Sequence, residues 1–200
     1  MAKVYAARIK KKAVESLREP PAMNAAYRIA KQEFEKAHDE MLKNFESHPV
    51  TREIEAGPTS ENTSGSLGGY GNLFSFIGFS NSQRPVDIVR QFLKFRPKIF
   101  KRSRLIRGHN STSYAFRVQI PTTEEIENIA PSPWGGRSWV RGIERGISGL
   151  GYFLYNRQGF AGSRSMTGIQ SDYKVRSLAY RPVKYMSSIL KTFRRKATSS

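Results

Sequence analysis

Cysteine is absent from the 200-residue sequence. That excludes disulfides, thiolate metal sites and cysteine nucleophiles, and it fits a reducing compartment. Acidic residues are scarce, 16 Asp/Glu against 34 Lys/Arg, for a net charge of +18. No apolar run approaches the roughly 20 residues of a membrane helix. The opening MAKVYAARIKKK has basic residues but no apolar core of a secretory signal, and Glu15 and Glu19 weigh against a transit peptide. The expectation is a soluble protein with no membrane partner.

Catalytic vocabulary is also missing. The three histidines, His38, His48 and His109, fall on a helix, a turn and a hairpin tip without supporting Asp/Glu spacing, so no metal centre is expected. There is no G-x-S-x-G elbow, and SGSLGGYG lacks the Gly-Lys-Ser/Thr ending of a phosphate-binding loop. Glu53 and Glu55 share one short turn, and Glu124, Glu125 and Glu127 open a helix, where acids favour the dipole anyway. No enzyme and no cofactor are expected.

What is present is globular: 38% hydrophobic and 12% aromatic residues, enough for one core. The positive excess is uneven. Residues 1–57 carry 11 Lys/Arg against 9 Asp/Glu, residues 58–120 carry 10 against 2, and residues 121–200 carry 13 against 5. Such a field attracts polyanions, which leaves nucleic acid and an acidic protein surface as alternative partners.

Periodicity predicts a helix over 24–45, with Tyr27, Ala30, Phe34, Ala37, Met41 and Phe45 on one face and Asn24 as its cap. Pro20 and Pro21 detach residues 1–19, read as a short basic helix within an N-terminal arm (1–23). The long helix must end near His48-Pro49, before a single turn capped by Thr51 and closed by Gly57-Pro58. LFSFIGF (73–79) reads as a strand that is apolar on both faces, and Pro85 opens a helix at 85–95. Residues 98–107 and 112–120 read as a hairpin turning at Gly108-His109-Asn110-Ser111. A short helix is expected at 123–130, then a helix from Ser138, strands at 152–156 and from Tyr173, and a last helix from Pro182. The fold class is α+β: a long N-terminal helix packed on an antiparallel sheet of 73–79, 98–107, 112–120 and 152–156, with shorter helices and extended terminal arms. A single domain spans 24–180, and 181–200 form a basic C-terminal helix and tail.

Two constellations stand out. Phe74, Phe76 and Phe79, with the glycine stripe Gly142, Gly146 and Gly149, suit a subunit interface, because helix glycines permit close backbone approach. Arg102, Arg104 and Arg107 on the hairpin, with Arg157 and Arg164 in the loop 157–171, suit contact with a polyanion or an acidic partner. The alternative to a structural role is a basic nucleic-acid-binding module using the 98–107 strand.

HPVTREIEAG, then LGGYGNLFSFIGF, then SWVRGIERGISGLGYFLYN with SRSMTGIQ, resemble a family of tailed-bacteriophage structural proteins across about residues 45–175. These are neck and tail-completion (head–tail connector) proteins, which sit between the capsid portal and the tail. The resemblance implies a long helix on an antiparallel sheet, assembled with copies of itself into a ring, commonly six- or twelvefold. It implies a virion component of neck or tail, assembled in the host cytoplasm, without enzymatic activity. Portal or connector proteins, tail proteins and packaged DNA are the partners it implies. The strong basicity departs from the acidic channel that such rings often carry.

Overall fold

The structure, a computed structural model, describes residues 3–12, 20–67, 71–107, 111–133, 137–146 and 181–198. The hairpin turn at 108–110, the strands expected at 152–156 and from Tyr173, the loop 157–171, and with them Gly149, Arg157 and Arg164, lie outside the described residues. Contacts divide the chain into two compact units where the sequence suggests a single domain over 24–180. One comprises Met1–Asn44, Phe92–Thr122 and Ser188–Ser200, and the other Phe45–Gln91 and Thr123–Ser187.

The first unit is built on α1 (Pro20–Ser47), whose residues up to Asn44 belong to it. Its buried stripe, Ala26, Ala30, Phe34, Ala37 and Met41, follows the expected helical spacing. Pro20 and Pro21 open this helix instead of preceding it, since first-turn N–H groups have no intrahelical acceptor and proline loses nothing there. Asn24 therefore lies inside the helix and is not its cap.

The sheet has three strands in the order β1–β3–β2, all antiparallel: β1 (Lys3–Lys12), β2 (Lys98–Arg107) and β3 (Ser111–Ile120). The hairpin is as expected; β1 is not. The segment read as part of a basic helix in a detached arm is a full-length strand, paired from Lys3↔Ile120 to Lys12↔Ser111. KVYAARIKKK alternates Tyr5, Ala7 and Ile9 with Ala6, Arg8 and Lys10, a period-two pattern, and the second edge of β3 has N–H and C=O groups to satisfy. On one face of the sheet Tyr114, Phe116, Val118 and Ile120 are buried. Tyr114 and Phe116 cluster with Ala26 and Ala30 of α1, and the Tyr27 and Phe116 rings lie 5.5 Å apart. The long helix thus packs on the antiparallel sheet, an α+β fold.

The second unit contains α2 (Pro49–Glu55), a 3-10 turn at Gly57–Thr59, α3 (Leu73–Ile77), most of α4 (Pro85–Phe95), α5 (Thr123–Ile129) and α6 (Trp139–Arg145). The last helix, α7 (Met186–Thr198), begins at its end and continues in the first unit. Residues 73–79 are a correction: LFSFI is a helix, not a strand. Asn72 caps it by accepting the Ser75 N–H at 2.9 Å, and Gly78 closes it at φ +86°, a left-handed conformation that favours glycine. Two good caps and full burial override the β-propensity of the aromatics. His48, extended before Pro49, caps α2 through its ring, in place of the expected Thr51.

Candidate functional site

Burial decides the interface candidates. Phe74, Phe76 and Phe79 are 2%, 8% and 2% exposed. They lie inside the second unit, where the Phe79 ring meets Phe74 at 5.6 Å and Trp139 edge-on at 6.0 Å. These rings serve the unit's own core and are not a free docking surface. Gly142 sits half-buried within α6. Gly146 ends that helix at φ +88°, and a Cβ there would meet nothing within 4 Å. Gly146 is therefore required by its backbone angle, not by close approach of a neighbouring backbone.

The Ser/Gly/Asn tract before α3 is held by one carboxylate. Glu53, 1% exposed, accepts hydrogen bonds from Asn62 Nδ2 at 2.8 Å, the Ser64 N–H at 2.8 Å and the Leu73 N–H at 2.7 Å. Ser60 Oγ donates to the Glu53 carbonyl oxygen, and Asn62 accepts from the Leu67 N–H. A buried charge held by three donors is anchored, which assigns this carboxylate to architecture.

A second buried node joins α2 to the residues before α7. Tyr185, fully buried, shares a 2.8 Å hydrogen bond with Thr51 Oγ1, and its ring lies 4.8 Å from His48 and 6.3 Å from Trp139. Burial pushes the Tyr185 phenol well above its ordinary range, against the Thr51 hydrogen bond. Burial also lowers His48, outweighing the Lys184 backbone hydrogen bond and the Glu144 charge, both of which raise it. Glu144 accepts from the Tyr185 and Ser187 N–H groups at the start of α7. Nearby on α4, Arg90 forks onto Glu46 at 2.7 and 3.0 Å, reaches Glu55 at 2.6 Å and pairs with Asp87. Glu46 first, and then Glu55, hold that guanidinium protonated far above its ordinary range, against its partial burial.

The remaining candidates lie on the sheet of the first unit. Arg102 and Arg104 are exposed, and Arg107 pairs through its backbone with Thr112 near the end of the ladder. Between Phe100 and Ser103 the register of β2 against β3 shifts, so Lys101 and Arg102 fall outside the pairing. Both are exposed, as are Lys98, Phe100 (39%) and Arg117. Register aligns Arg8 with Ala115 and Arg104 in one row, and Lys10 with Ser113 and Ile106 in the next. None of the three strands carries an acidic residue. Among the described residues, no ion pair engages Lys98, Lys101, Arg102, Arg104 or Arg117.

The basic strand at 98–107, with Arg102 and Arg104, was legible in the sequence, whereas the part of Arg117 and of residues 3–12 was not. The available signal was the apolar/basic alternation of Tyr5 to Lys10, which reads as a strand beside a basic hairpin. Among the described residues, no group of three or more His, Cys, Asp or Glu could hold a metal, and no helix is long and apolar enough to cross a membrane. No family model, no curated protein and no solved structure matches the chain.

Proposed function

We propose that the chain is a structural virion protein of a tailed phage, a neck or tail-completion subunit that joins the capsid portal or connector to the tail. It would act by protein–protein contacts, as one member of a ring of identical copies. The supporting observation is the use to which the residues of the resemblance are put. Val50, Glu53 and Ile54 from HPVTREIEAG, Leu73, Phe74, Ile77 and Phe79 from LGGYGNLFSFIGF, and Trp139, Val140 and Ile143 from SWVRGIERG are all buried in one unit. The carboxylate among them is taken up by backbone and amide donors. Sequence strings devoted to shape suit a protein that works by being positioned rather than by reacting.

With Phe74, Phe76 and Phe79 inside, contacts to copies and neighbours fall to side chains that remain outside. Ile88 and Phe95 are 48% and 66% exposed, and large apolar groups of this kind anchor interfaces. The test is reconstitution. Particles of the encoding phage, assembled with this reading frame interrupted, are mixed with the purified protein and imaged. The expected result is added density at the head–tail junction and restored joining of tails. Particles that stay tailless and undecorated would refute the assignment.

A further inference from the structure

We propose that the exposed face of the three-stranded sheet binds nucleic acid through its phosphate backbone, without reading sequence. The inference stands on the surface itself and is independent of the virion assignment.

Lys98, Lys101, Arg102, Arg104 and Arg117 are exposed on two adjacent strands, and β1 adds a third strand that is basic and acid-free. Like charges crowded on one sheet repel. That cost is relieved when an array of anions is laid over them. Register places Lys98, Arg104 and Arg117 on one face of β2 and β3, where alternate residues of a strand are spaced by about 6.5–7 Å. The bulge adds Lys101 and Arg102 beside them. Phosphates recur about every 3.4 Å of axis along each strand of a duplex, so a nucleic-acid backbone can meet several of these cations at once.

Lys101 and Arg102 leave the ladder as consecutive cations, at the point where the strand would otherwise turn one of them inward. Phe100, 39% exposed beside them, offers an aromatic face to sugars or unpaired bases.

Composition separates nucleic acid from an acidic protein as the occupant. Protein–protein interfaces are depleted in lysine at their centres and mix polar with apolar area. Surfaces that bind nucleic acid are more polar and far more positive. Every exposed charge on β2 and β3 is a lysine or arginine, and no strand of the sheet has a carboxylate.

The experiment measures the affinity of the full chain for single-stranded and duplex oligonucleotides of about 30 nucleotides, of random sequence, over a salt series. Polyglutamate is titrated alongside. Lys101→Ser/Arg102→Ser/Arg104→Ser removes three exposed cations, and circular dichroism confirms that the fold is kept. Arg141→Ser/Arg145→Ser/Lys184→Ser, three exposed cations of the other unit, lowers net charge equally.

Binding to at least one oligonucleotide is expected. The sheet variant should lose about tenfold or more in affinity at about 50 mM salt, and its log–log salt slope should fall by about two to three. The control variant should change both far less. Which oligonucleotide binds more tightly then identifies the form recognised. The proposal is overturned if neither oligonucleotide binds at about 50 mM salt, or if the two variants flatten the slope equally. Polyglutamate binding as tightly as nucleic acid, with the same loss in the sheet variant, overturns it in favour of an acidic protein.

Discussion

Glu53 and Leu73 are 20 residues apart in sequence, and the Leu73 N–H donates to Glu53 Oε1 at 2.7 Å. That bond ties the start of α3 to α2, and the same carboxylate orders the loop between them through Asn62 and the Ser64 N–H. Glu53→Gln replaces one acceptor oxygen with a donor, so one of the two backbone N–H groups faces an NH2. The expected loss is about 2 kcal/mol of stability, read as a lower urea midpoint. An unchanged midpoint would mean that the network carries no net stabilisation.

Arg90 gathers Glu46, Glu55 and Asp87, and its fork on Glu46 is bidentate. Arg90→Ala leaves three half-exposed carboxylates without their shared cation and should destabilise by about 1 kcal/mol. Arg90→Lys keeps the charge but cannot fork, so its thermal midpoint should fall between wild type and the alanine variant.

Tyr185 is buried with its hydroxyl on Thr51. Tyr185→Phe leaves the buried Thr51 hydroxyl unpaired and should lower stability by about 1–2 kcal/mol. The folded-state phenol is pushed above its ordinary 10, so between the two values the folded state holds the proton more tightly than the unfolded chain. Stability from this group is present below pH about 10 and lost as pH rises beyond it. The phenylalanine variant should show a shallower alkaline decline in a pH series of denaturation midpoints.

Acid acts through a different residue. His48 is held below its ordinary 6.5, so in the window beneath that value the unfolded chain binds more protons than the folded one. Its contribution is intact above pH about 6.5 and lost as pH falls below it. His48→Asn, which can still cap α2 without titrating, should remove part of the stability loss between about pH 6.5 and 5. An acid limb identical to wild type would remove His48 as its cause.

Legibility in the sequence followed the range of the interactions. α1 and α4 were readable because Ala30, Phe34, Ala37 and Met41, or Val86, Val89 and Leu93, repeat at helical spacing within one window. β3 was readable from the alternation of Tyr114, Phe116, Val118 and Ile120. LFSFI was not: four apolar residues around Ser75 fit a strand or a buried helix equally, and the decision lay in Asn72 and Gly78 on either side. β1 escaped because three successive lysines blur its alternation and its partner lies far along the chain. The candidate site was half-visible for the same reason. Arg102 and Arg104 stand in one stretch, whereas Arg117 and residues 3–12 join them only through strand pairing.

The placement of β1 also sets an order of events at the ribosome. Its partner is Ser111–Ile120, so at about 5–20 residues per second the first strand emerges on the order of ten seconds before its ladder can form. The sheet closes only after the hairpin has been synthesised. Removing the first twelve residues would leave β3 with an open edge, inviting the hairpins of two molecules to join side by side.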